Sequence, residues 1–221
     1  MIVHADEPIM LIGGAKTGSG TFRAVQKLAK RLVAADSGAD RALAFGAVPE
    51  AVLGDMDSIG AAARAAIPPG NLHPIDDQDS TDFDKCLRNI ESPLVIGVGF
   101  SGARMDHQLA VCNTLVRYPE RRCILVGPDD LVMLTPPALH LDLAPGCPVS
   151  LFPMGAVEGV SDGLHWPIGG LTFTPDGTIG TSNRATGPVD LTMTAPKMLL
   201  LLPVACLGLL VEAVSRTRAR W

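Results

Sequence analysis

Between residues 9 and 132, short apolar runs alternate with longer segments of helical periodicity, and no other feature constrains the fold of this chain so strongly. A strand that is apolar on both faces needs cover on both, and a helix between successive strands supplies it while returning the chain parallel to itself. Strands are predicted over residues 9–12, 31–35, 51–53, 71–75, 94–98 and 123–126, and helices over 22–30, 39–45, 59–66, 81–90 and 106–118. Most of these strands run into Gly or Asp, so polar loops collect at the carboxyl edge of the sheet, where open α/β sheets bind ligands.

After Leu134 the texture changes, with Pro and Gly breaking short β-like runs every few residues, which predicts antiparallel structure. Strands are predicted over 139–143, 148–152, 171–174, 178–180, 189–194 and 198–202. The expected architecture is α/β plus β: a three-layer α/β domain with a mainly parallel sheet over residues 1–133, then an antiparallel β-sandwich domain over residues 134–221. The apolar run 198–211 contains Pro203 and Gly208 and is shorter than the roughly 20 residues of a membrane span, so it reads as strand, turn and terminal helix. Leu207, Leu210, Val211 and Val214 give that helix one apolar face.

The formal charge of -5, with no Lys/Arg cluster denser than Arg216 to Arg220, argues against a nucleic-acid partner. The five cysteines are widely spaced and never form CxxC, which favours neither a disulfide framework nor a zinc knuckle. The first residues lack a basic stretch ahead of an apolar run, so a secretory signal is not expected and a cytoplasmic location is.

Three acidic clusters carry the chemistry: Gly54-Asp55-Met56-Asp57-Ser58, Gln78-Asp79-Ser80-Thr81-Asp82-Phe83-Asp84-Lys85, and Gly102-Ala103-Arg104-Met105-Asp106-His107. Carboxylates gathered in one cleft repel each other unless cations accompany them, and hard oxygen ligands suit Mg²⁺. In the first cluster Asp55 and Asp57 leave a strand together and can share one divalent ion; a helix cap at Asp57 or Ser58 is the alternative. In the second, Phe83, Cys86, Leu87 and Ile90 mark an apolar helical face, leaving Asp82 and Lys85 together near the helix start beside Gln78 and Thr81, a setting suited to phosphate and its metal.

Gly97 to Gly102 matches G-x-G-x-x-G, but the match follows the fifth predicted strand and leads into Arg104 and Asp106, unlike a dinucleotide fingerprint. Gly13-Gly14-Ala15-Lys16-Thr17 lacks the Gly-Lys-Ser/Thr order of a phosphate loop, although Gly13 and Gly14 allow backbone N–H groups to approach a phosphate. Asp36-Ser37-Gly38-Ala39 either contacts a nucleotide or caps a helix. In the β half, Trp166, Ser182 and Asn183 are suited to stacking on and hydrogen-bonding a heteroaromatic ring; core packing for Trp166 and a hairpin turn for the other two are the alternatives.

Taken in order, these segments resemble the thiamine pyrophosphokinase family, on the three acidic clusters, Asp36-Ser37-Gly38-Ala39, Val149-Ser150-Leu151-Phe152-Pro153, Gly163-Leu164-His165-Trp166 and Thr181-Ser182-Asn183. Ala103 and Ser37 stand where the family pattern has glycine, and Arg184 follows Asn183 where it has an aromatic residue. The resemblance implies transfer of pyrophosphate from ATP to the hydroxyethyl group of thiamine, with Mg²⁺ as cofactor, by a homodimer whose active sites form between subunits. It further implies Asp55, Asp57 and Asp82 as metal and phosphate carboxylates, and Asp36, Gly38, Gln78, Thr81, Lys85 and Arg104 as ATP contacts. Asp106, Trp166, Ser182 and Asn183 fall on the thiamine side. The rival readings are a pyrophosphokinase for another hydroxymethyl heterocycle, such as a pterin, and a non-catalytic thiamine or nucleotide sensor.

Overall fold

The computed structural model describes residues 1–102 and 104–221; Ala103 lies outside the described residues. The chain divides into two compact units, one of Met1–Thr114 with Leu125–Pro128, the other of Leu115–Ile124 with Asp129–Trp221.

In the first unit the elements run β1 (Val3–His4), β2 (Ile9–Ile12), α1 (Ser19–Leu28), β3 (Arg31–Ala35), α2 (Gly38–Ala44), β4 (Ala51–Gly54), α3 (Ala61–Ala66), β5 (Leu72–Pro74), α4 (Asp82–Asn89), β6 (Ile90–Glu91) and β7 (Val95–Val98). The helix α5 (Met105–Arg117) and the strand β8 (Cys123–Val126) follow. Strands β2, β4 and β7 are buried at every position, as a parallel sheet covered on both faces requires. Their order is β7-β2-β3-β4-β5, all parallel. From β2 the chain builds outward through β3, β4 and β5, then returns to place β7 on the other side of β2. The direction of winding therefore reverses between β2 and β7, which is where such sheets open a crevice at their carboxyl ends.

The second unit contains β9 (Asp130–Leu134), β10 (Ala138–Leu141), β11 (Pro148–Pro153), β12 (Val157–Leu164), β13 (Thr172–Phe173), β14 (Gly180–Met193), β15 (Met198–Pro203) and α6 (Leu207–Arg216). Its pairings are antiparallel: β9 with β15, β15 with β11, β11 with β14, β14 with both β10 and β12, and β12 with β13. The long strand β14 meets β11 through its first residues, Gly180 to Arg184, and β10 and β12 mainly through its last, Val189 to Met193. Helix α6 buries Leu207, Leu210, Val211 and Val214, the stripe read from the sequence. Among the described residues no helix is long and apolar enough to cross a membrane.

Several elements depart from the predicted pattern, and β9 is one of them, since no strand was expected between residues 126 and 139. Strand β12 was not expected, because Gly159, Ser161, Asp162 and Gly163 read as turn chemistry; at Gly163 the register shifts, φ is +78°, and a Cβ would lie 1.9 Å from the Pro188 carbonyl oxygen. Residues 178–180 and 189–194 were expected as separate strands and are joined into β14. The two-residue parallel pair of β1 with β6 is too short to leave a periodic signal.

Candidate active site

The crevice between β2 and β7 is a cleft of about 430 Å³ lined by residues of the first unit. Its floor is made by two glycine loops that touch: Gly13 N–H donates to the Val98 carbonyl at 2.8 Å, and Ala15 N–H to that of Gly99 at 3.0 Å. A Cβ on Gly13 would stand 2.5 Å from the Gly99 oxygen, so these glycines serve close backbone approach. Phe100 packs edge-on against Phe83 of α4 with ring centroids 4.8 Å apart, fixing the cleft wall.

The same helix also brings charge to the cleft. Lys85 is buried on α4, and its ammonium donates to Asp55 Oδ2 at 2.8 Å and to Asp82 Oδ1 at 3.3 Å. Burial alone would lower the Lys85 pKa, but the two carboxylates outweigh it and hold the ammonium charged. Asp55 is lowered by the Lys85 hydrogen bond, whereas burial raises Asp82 against the opposing pull of Lys85. Thr81 caps α4 by accepting from Asp84 N–H at 3.3 Å, which sets Asp82 in the first turn facing the cleft.

Asp36, at the end of β3, is 1 % exposed and sits at φ +41°. Its Oδ2 accepts from Ser58 N–H at 3.1 Å, while Oδ1 is buried without a hydrogen-bond partner. Burial pushes this carboxyl up to about 6. Asp36, Asp55 and Asp57 each bring one carboxylate oxygen within 4.8 Å of the others. Gly54 permits the gathering: at its φ of +153° a Cβ would lie 2.9 Å from Asp36 Cβ and 3.1 Å from Asp82 Oδ1.

The thiamin pyrophosphokinase catalytic-domain model matches residues 22–126. Thiamine pyrophosphokinase 2 of Arabidopsis thaliana is 31 % identical over 156 residues, 61 % of this chain and 58 % of the relative. A thiamine pyrophosphokinase 1 of Oryza sativa subsp. japonica matches at the same identity and extent. These likenesses support a member of the thiamine pyrophosphokinase family. The match spans less than two thirds of the plant relatives' length. Solved structures share the fold over nearly the whole chain: thiamin pyrophosphokinase from Candida albicans superposes with a TM-score of 0.75 at 14 % identity, covering 91 % of this chain and 93 % of that one. The yeast thiamin pyrophosphokinase gives 0.74 at 17 % identity, covering 94 % and 89 %.

The stretch matching the thiamine pyrophosphokinase catalytic model contains Asp36, Asp55, Asp57, Asp82, Lys85, Arg104 and Asp106. Of these, Asp55, Asp82, Lys85 and Arg104 line the cleft together with Thr81. Arg104 and Asp106 are exposed at the start of α5 and pair with each other, Arg104 Nε donating to Asp106 Oδ1 at 3.1 Å; this pairing holds Asp106 down to about 2. Gln78 is exposed and does not line the cleft. Gly38 packs instead, since a Cβ there would stand 2.0 Å from the Ile12 carbonyl oxygen. Sequence reasoning took Asp36 as a nucleotide contact and missed its place in the carboxylate trio, which depends on tertiary proximity.

In the second unit Asn183 holds the segment at Trp166. Its Nδ2 donates to the Trp166 carbonyl at 2.7 Å, and its Oδ1 accepts from Trp166 N–H at 3.2 Å and from Arg184 N–H at 2.9 Å. The Trp166 indole is 54 % exposed, with the Arg184 guanidinium 5.3 Å from its ring centroid. Ser182 sits at φ +65° and donates its N–H to Ser150 Oγ at 3.0 Å.

Proposed function

We propose that this chain transfers the pyrophosphoryl group of ATP to the hydroxyethyl oxygen of thiamine, giving thiamine diphosphate and AMP. The observation that carries the reading is the Lys85 ammonium clamped between Asp55 and Asp82 on a cleft with paired glycine loops, the three charged residues lying within the stretch that matches the catalytic-domain model. In the reaction the thiamine hydroxyl oxygen attacks the β-phosphorus in line. The bond from that phosphorus to the α,β-bridging oxygen breaks, AMP leaves, and the hydroxyl proton passes to a base or to water. Such a transfer depends on positioning and charge neutralisation.

Asp36, Asp55 and Asp57 fit a hard divalent cation: an unpartnered, buried carboxylate oxygen and a pKa pushed up to about 6 mark a negative site that a cation would relieve. We assign Mg²⁺ to this trio, with Asp82 adjoining, where it would supply neutralisation of phosphate oxygens. Lys85 and Arg104 bind and orient the triphosphate, and Thr81 and the N–H groups of the Gly13 and Gly99 loops approach its oxygens. Held near 2 by Arg104, Asp106 is a weak base, so its role is to orient the acceptor hydroxyl.

The antiparallel unit is read as a sandwich that receives the thiamine ring at Trp166, with Asn183 positioning the segment and Ser182 beside it. A homodimer with sites completed between subunits belongs to the same reading and is supported by the exposed apolar side chains Val160, Trp166, Leu171 and Ile179. So does a cytoplasmic location, in keeping with Cys86, Cys112, Cys147 and Cys206 standing outside any disulfide. The test is AMP release from ATP with thiamine against ATP with a hydroxymethyl pterin. Release with thiamine alone supports the reading, release with the pterin alone assigns the other acceptor, and nucleotide binding without release assigns a sensor.

A further inference from the structure

Cys147 and Cys206, 59 residues apart in the chain, bring their sulfurs to 3.6 Å. Both are free and partly exposed, whereas Cys86 and Cys123 are buried. Their meeting is built into the sheet. Strands β11 and β15 are antiparallel neighbours with Ser150 opposite Leu201, which brings the start of β11 beside the end of β15. Cys147 immediately precedes β11, and Cys206 closes the 3-10 turn Val204–Cys206 that follows β15 and leads into α6. The Cys147 backbone is fixed on both sides, its N–H donating to Ala144 at 3.1 Å and its carbonyl accepting from Ala185 at 2.8 Å. Among the described residues the group of three or more metal-type ligands is the Asp36 trio, so these two thiols lack the further ligands of a zinc site.

We propose that Cys147 and Cys206 are a redox-modification site that closes to a reversible disulfide on encounter with a hydroperoxide. The Cys147 thiolate attacks a peroxide oxygen, the O–O bond breaks, and the departing oxyanion takes up a proton, leaving Cys147 as the sulfenic acid. The Cys206 sulfur then attacks the Cys147 sulfur; the S–S bond forms, the S–O bond breaks, and water leaves with the Cys206 proton. Two thiols are oxidised and one peroxide is reduced. Burial and the neighbouring thiol push Cys206 up to about 11, which suits it to the resolving role rather than to the first attack. The product staples the entry of β11 to the start of α6 and closes a long loop, so the oxidised protein melts several degrees higher.

The experiment treats the folded 221-residue chain with limiting hydrogen peroxide, alkylates free thiols, digests without reductant and identifies cysteine peptides by mass spectrometry. The expected product is an intramolecular Cys147–Cys206 cross-link, lighter by two hydrogens and reversed by a thiol reductant, with Cys206 remaining alkylatable in Cys147→Ser. Separate Cys147 and Cys206 peptides, present as thiols or as sulfinic acids, overturn the proposal, as does pairing of either residue with another cysteine. Because the deciding measurement is made on the wild-type chain, it stands whether or not the variant folds, and it does not depend on the proposed transfer reaction.

Discussion

Lys85 Nζ lies 2.8 Å from Asp55 Oδ2 and thereby ties the loop that leaves β4 to the first helical turns of α4. The ammonium is enclosed by protein while Asp55 and Asp82 keep some contact with solvent, so the pair is only partly screened. In Lys85→Met the aliphatic stem is kept and the charge lost. The predicted result is a fall in pyrophosphate transfer on the order of 10²- to 10³-fold. A loss of stability of about 1–3 kcal/mol accompanies it. Steady-state kinetics and urea unfolding of the same preparation check both.

Gly38 begins α2 where the helix crosses β2, and its missing side chain is structural. Gly38→Ala places a methyl 2.0 Å from the Ile12 carbonyl oxygen and 3.1 Å from Gly13 Cα, so α2 must move off the sheet. The expected cost is about 2–3 kcal/mol, read as a lower urea midpoint with an unchanged slope.

The alternation of apolar strands and helices made the first unit legible, because each parallel strand is a continuous apolar run and each helix a separate periodic segment. Asp55, Asp82 and Lys85 were also legible, since loop and helix-start positions follow from spacing. Three things were not. Asp36 joins Asp55 and Asp57 through the side-by-side pairing of β3 and β4, which no local pattern encodes. Strand β12 hides behind glycines that accept close contact with β14, as at Gly159, where a Cβ would lie 2.5 Å from the Thr192 oxygen. Asn183 looked like a ligand group but spends both ends of its amide on the backbone of its neighbours.

Asp77 gives the account a pH signature. The Ser80 hydroxyl and the Arg88 guanidinium hold its carboxyl down to about 2. Its folded pKa lies below the unfolded value of about 4, so its stabilisation is complete above about pH 4 and is lost as pH falls through about 2. Thermal melts across that window should decline less steeply for Asp77→Asn than for the wild type.

Arg122 straps the C-terminal segment by donating to the carbonyls of Val214, Thr217 and Ala219 at 2.9, 2.9 and 2.8 Å. Removing it in Arg122→Ala leaves those carbonyls to water and should cost about 2 kcal/mol. Hydrogen exchange should accelerate over residues 217–221 while β2 and β7 stay protected.

The central claim is that carboxylates from separate loops converge on one magnesium ion beside the triphosphate, and a magnesium titration of product formation tests it most directly. Wild-type protein given ATP and thiamine should form AMP and thiamine diphosphate in equal amounts only when magnesium is present, with Asp55→Asn slower on the order of 10³-fold at saturating metal. Near-normal turnover by Asp55→Asn, or AMP formation indifferent to magnesium, would contradict it.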